Sequence, residues 1–124
     1  MGPLLLIGAG GFAGAIARYL VDLRVSDWTG GSLPWGTFVI NVSGSFVVGL
    51  VFALVVERAV LPAEVRGPLM VGFIGAFTTF STLTLESWRM LEDGLWLYAS
   101  ANLVGSIVLG VLAVVAGVAL GRAM

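Results

Sequence analysis

The sequence predicts an all-α membrane protein of one small domain, with four transmembrane helices per subunit and the third one broken. Three observations predict it. Hydrophobic residues make up 59% of the chain and charged residues 10%, against roughly 45–50% and 25% in soluble domains. The apolar residues gather into four runs, about 2–21, 35–56, 68–89 and 95–120, each near the ~20 residues that a helix needs to cross a bilayer. Six basic and seven acidic side chains cannot cover the surface of a soluble chain of 124 residues, because small domains have a high surface-to-volume ratio. Helices are expected rather than strands, since a backbone in lipid must satisfy its own hydrogen bonds and the chain is short for a closed barrel.

The first run begins without a positive segment and exceeds a signal-peptide core, so it is read as retained. Arg18 and Asp22 mark its end. Arg24 to Pro34 is expected to be a loop from its Gly, Pro and polar cluster. The second run closes on Glu57 and Arg58. A second loop spans Ala59 to Gly67, and Pro68 suits the first turn of the third helix. That helix ends where Glu86, Arg89, Glu92 and Asp93 crowd together. The fourth run is followed by Arg122. Every acidic residue is placed near an end or in a loop, as expected when a charge at the bilayer centre costs roughly 2.5–3.5 kcal/mol or more.

Some classes are excluded by composition. Without Cys there is no disulfide, thiolate metal site or cysteine nucleophile, and without His no imidazole base. Every cation is Arg and the net charge is −1, so no basic field for nucleic acid exists. An enzyme is therefore not expected.

Orientation is balanced. With four spans, Arg58, Arg66 and Arg122 fall on one side, and Arg18, Arg24 and Arg89 on the other. The positive-inside rule has nothing to act on. Either some other feature fixes a single topology, or the chain inserts both ways and pairs with an inverted copy of itself. The second reading is preferred, because four thin helices alone make a poor pore.

Polar residues lie where lipid should forbid them. Glycines recur inside the runs, at Gly10, Gly14, Gly44, Gly49, Gly72, Gly75, Gly105, Gly110, Gly117 and Gly121, as expected where membrane helices approach closely. Gly8 to Ala13 mimics a dinucleotide fingerprint, but no βαβ unit follows. Thr37, Asn41 and Ser45 share one helix face at four-residue spacing, and so do Tyr98, Asn102 and Ser106. A lone Ser or Thr commonly bonds back to its own helix. An Asn amide cannot be satisfied that way, so Asn41 and Asn102 need a partner helix, a substrate or water. Thr78, Thr79, Ser81, Thr82 and Thr84 follow directly on Gly72 and Gly75. Gly and Thr are middling to poor helix formers, so a break near Gly75 to Thr79 is expected, with a simple kink as the alternative. Broken membrane helices are tolerated when buried in protein or lining water, and they commonly form ion sites. A lining of donors and aromatic edges without carboxylates suits a small anion. Arg18 is a candidate vestibule residue for attracting it, or else an interfacial anchor. Composition alone stops at a membrane pore or carrier with some preference for an anion.

The runs Gly10 to Tyr19, Gly36 to Phe46 and Gly72 to Thr82, in this order and spacing, resemble the bacterial fluoride channel family (Fluc, also called CrcB). The Gly75-Ala76-Phe77-Thr78-Thr79-Phe80-Ser81-Thr82 stretch is the specific part, and the resemblance covers essentially the whole chain. It implies an antiparallel, dual-topology homodimer in the bacterial inner membrane, with two pores for fluoride. It implies passive export that lowers cytoplasmic fluoride and its toxicity. It also implies one structural, non-transported sodium ion, held by main-chain carbonyls on Gly75 and Thr78. The family's pore Asn falls on Asn41 and the first of two pore phenylalanines on Phe80. The second falls on Leu83, which has no ring edge to offer. Ser106 falls on the polar track, as Tyr98 and Asn102 do less surely, and Ser81 and Thr82 are further candidate donors. The alternatives are a dual-topology small multidrug transporter, which would want an embedded acid in its first span, and a membrane assembly protein with no transport activity.

Overall fold

The computed structural model describes residues 2–124, and among them every regular element is helical. Helix α1 spans Gly2–Thr29 and α2 spans Trp35–Phe52, continued by a π-helical turn at Ala53–Glu57. After a 3-10 turn at Ala63–Val65, a π-helix runs over Gly67–Ile74 and passes into α3, Gly75–Phe77. Helix α4 spans Phe80–Glu92 and α5 spans Trp96–Ala123. Between α3 and α4, Thr78 and Thr79 have extended backbone, with ψ of 155° and 113°. Four segments are long and apolar enough to cross a membrane: Gly2–Thr29, Trp35–Glu57, Ala63–Glu92 and Trp96–Ala123.

The first connection is shorter than expected. Arg24 to Thr29 are helical, and only the five residues from Gly30 to Pro34 form the turn. Polar residues do not end a helix once it has left the lipid, where water can solvate them. The stop comes from Gly30, whose φ of +82° closes the helix in the left-handed conformation that glycine adopts freely. Twenty-eight residues at ~1.5 Å each make α1 and α5 about 42 Å long, beyond the ~30 Å hydrocarbon core.

Packing is set by glycine. Lipid provides no hydrophobic drive between helices, so they associate where small residues let backbones touch. Helix α2 packs chiefly on α5. A Cβ on Gly49 would overlap the Val114 carbonyl oxygen, and one on Gly117 the Phe46 carbonyl oxygen. Helix α1 packs on the π-helix in the same way, through Gly10 on Pro68, Gly14 on Phe73 and Gly72 on Ile7. A small apolar core of Val51, Val55 and Ile74 forms where α2 and the π-helix meet.

The two ends of the molecule differ. At one end Glu57 and Arg122 form a bidentate pair with both contacts at 2.7 Å, and Arg58 Nη1 donates to the Gly121 carbonyl at 2.9 Å. At the other end, where α1 and α4 finish and α2 and α5 begin, lie all four tryptophans. Trp28, Trp35, Trp88 and Trp96 are all exposed there.

Candidate functional site

The extended pair Thr78–Thr79 is held from α2. Gly44 admits the Thr78 methyl group, because a Cβ on Gly44 would overlap Thr78 Cγ2. One helical turn earlier, Asn41 reaches the Thr79 backbone on both sides. The Thr79 N–H donates to Asn41 Oδ1 at 2.7 Å, and Asn41 Nδ2 donates to the Thr79 carbonyl at 3.0 Å. Ser45 Oγ donates back to the Asn41 carbonyl at 2.6 Å. Thr79 Oγ1 caps α4 by accepting from the Thr82 N–H, and donates to Thr82 Oγ1 at 2.9 Å. Thr78 Oγ1 donates to the Ile74 carbonyl at 3.0 Å. An amide that grips both main-chain polar groups of one residue leaves a single N–H of Asn41 unspent.

A cleft of about 390 Å³ opens beside this clamp. Asn41, Ser45, Gly75, Thr78, Thr79, Phe80, Leu83 and Ser106 are among its lining residues. Thus Asn41 and Ser106, distant in sequence, are brought together with Gly75, Thr78, Phe80 and Leu83. Ser106 is 6% exposed, and its Oγ has no hydrogen-bond partner among the described residues. Phe80 is 72% exposed on the rim, whereas Leu83 is 4% exposed and packed into the wall. Among the described residues no carboxylate lines this cleft.

A second cleft of about 220 Å³ lies across Thr79, lined by Arg18, Tyr19, Asp22, Thr37, Thr79 and Thr82, with Ala15 and Ile40. Arg18 Nε is buried there without a partner among the described residues. Tyr98 and Asn102 lie elsewhere, in a cleft of about 230 Å³ that is otherwise mainly apolar. Asn102 Nδ2 donates to Ser87 Oγ at 3.0 Å, and Ser87 donates to the Leu83 carbonyl at 2.8 Å. The face shared by Tyr98, Asn102 and Ser106 is therefore split between two clefts, with Asn102 tying α5 to α4. Ser81 is exposed and lines none of these clefts.

Glu86, near the end of its span, has a partner that the sequence did not indicate. It lies on α4 and accepts from Thr37 Oγ1 at 2.8 Å through Oε1, while its buried Oε2 has no partner among the described residues. Thr37 itself is 3% exposed. The sequence signal was the hydroxyl Thr37 in the first turn of an apolar helix, which cannot be left unsatisfied when buried. Its partner came from the third span, which spacing within α2 could not reveal.

Four helices long and apolar enough to cross a bilayer define a multi-pass membrane protein. The family model for CrcB-like protein, Camphor Resistance (CrcB), matches residues 5–118. A protein of Solidesulfovibrio magneticus named fluoride-specific ion channel FluC is 47% identical over 116 residues, covering 94% of this chain and 93% of that one. Proteins of the same name from Magnetococcus marinus and Rhizobium meliloti are each 41% identical. The first covers 94% of both chains, and the second covers 100% of this chain and 99% of its own. The chain belongs to the CrcB family. It is a multi-pass protein of the bacterial cell membrane, and its family is one of ion channels rather than enzymes.

Proposed function

We propose that this chain is a passive, fluoride-selective channel that exports fluoride down its electrochemical gradient and so lowers its toxicity in the cytoplasm. The observation that carries the reading is the 390 Å³ cleft, whose lining includes both Asn41 and Ser106, the latter with a buried hydroxyl that has no partner among the described residues. Fluoride is small and strongly hydrated. A path through a membrane must replace its water with donors, and a buried donor with no partner has the most to gain from an anion. Phe80 offers ring edges of partial positive charge at the rim. Arg18 is the vestibule residue of this reading: its guanidinium shares the second cleft with Asp22 and Thr82, and its Nε has no partner among the described residues. The names of the relatives support fluoride as the ion.

The working unit in this reading is an antiparallel homodimer with two pores, assembled across the face that bears Gly75 and Phe80, both exposed. The third span works as a broken helix, and the carbonyls of Gly75 and Thr78 hold one structural sodium ion. The fit is chemical: both are neutral oxygens on a cleft without carboxylates, a donor set for a hard monovalent cation. Such an ion supplies a fixed positive charge and cross-links whatever carbonyls surround it. The test is efflux from liposomes containing the purified protein. Fluoride leaves rapidly with a potassium ionophore present, and chloride is retained. Equal retention of both ions would reject a channel, and equal loss would reject selectivity.

A further inference from the structure

In a continuous helix each N–H bonds the carbonyl four residues earlier. The last such bond before α4 is Thr78 N–H to the Ile74 carbonyl, at 3.0 Å. The next would be Thr79 N–H to Gly75, and three residues on Thr82 N–H would bond Thr78. Both N–H groups are diverted. The Thr79 N–H goes to Asn41 Oδ1 at 2.7 Å, and the Thr82 N–H goes to Thr79 Oγ1 at 3.4 Å. Among the described residues neither returns to the backbone carbonyl it would otherwise serve. The carbonyls released in this way are those of Gly75 and Thr78, both on the lining of the 390 Å³ cleft.

We infer that Asn41 and Thr79 are positioning residues for the cation. Their side-chain oxygens take the two amide protons that would otherwise close the helix over the Gly75 and Thr78 carbonyls. The inference rests on the sodium reading given above. It assigns Asn41 a role separate from donating to an anion: Oδ1 keeps a carbonyl free, and Asn41 also lines the cleft. Removing either acceptor lets the local helix recover a hydrogen bond, worth about 1 kcal/mol net, at the expense of the cation's ligands.

The test uses the full-length protein and reads its melting temperature in sodium chloride against N-methylglucamine chloride at constant ionic strength. It also reads hydrogen exchange at Thr79 and Thr82. The wild type is stabilised by sodium in a saturable way. Asn41→Leu and Thr79→Val need about tenfold more sodium for half the effect, as expected when a hydrogen bond of roughly 1–1.5 kcal/mol competes with the ligand set. Thr79→Ser retains the hydroxyl and restores the response. Asn41→Asp keeps an acceptor for the Thr79 N–H, so it keeps the sodium response while its added charge suppresses fluoride flux. Exchange at Thr79 accelerates in Asn41→Leu only if the continuous helix does not re-form, and protection there with a lost sodium response marks re-closure over Gly75. Should Asn41→Leu fail to fold, the Thr79→Val and Thr79→Ser pair decides. A wild-type sodium response preserved in both Asn41→Leu and Thr79→Val overturns the positioning roles and leaves the sodium reading standing. A wild type indifferent to sodium overturns both.

Discussion

Ser106 carries a buried hydroxyl with no partner among the described residues, on the lining it shares with Asn41. An orphaned donor costs stability, so its removal is tolerated by the fold. Ser106→Ala is therefore expected to leave the melting temperature unchanged or slightly raised, while fluoride efflux falls roughly tenfold, the worth of one donor to a charged partner at about 1.5 kcal/mol. Reduced stability with normal efflux would give the hydroxyl to packing instead. Phe80 is a second residue at which structure and transport separate. It is exposed on the rim, so Phe80→Ile removes ring edges without opening a cavity, and impaired efflux from a normally folded protein is the expected result. The polar stripe of α2 was legible in the sequence because an amide at membrane depth cannot be satisfied within its own helix. What it bonds was not legible. Asn41 spends most of its capacity on the backbone of Thr79, and a backbone partner leaves no signature in side-chain spacing. Glu86 escaped for a related reason: charge within three residues of Arg89 reads as a helix end, and only tertiary packing turns it toward Thr37.

At the scale of elements, the helix crossings depend on glycines whose neighbours are main-chain atoms. Gly117 faces the Phe46 carbonyl and the Leu50 N–H on α2, neither of which can move aside. A Cβ on Gly8 would meet nothing within 4 Å beyond its own helix. Gly117→Ala is thus expected to lower stability by about 1–3 kcal/mol or more, the cost of overpacking, and Gly8→Ala to be neutral. Thermal unfolding in detergent measures both, and equal effects would remove backbone contact as the organising force between α2 and α5. The bilayer-spanning cores of the helices could be read from hydropathy, since lipid demands an unbroken apolar run. Their ends could not. Outside the hydrocarbon the demand lapses, and α1 continues through Arg24, Ser26 and Asp27 until Gly30 permits a turn.

For the whole molecule, the balanced arginines leave orientation undirected by charge, and the inverted pair remains a proposal about how two copies assemble. The gathering of every tryptophan at one end makes that proposal measurable without labels. The indoles act as a beacon fixed to a single pole of the subunit. A bulky, membrane-impermeant quencher added outside sealed vesicles dims half of the emission if up and down copies are equal in number. It dims all or none of it if the chain is threaded one way.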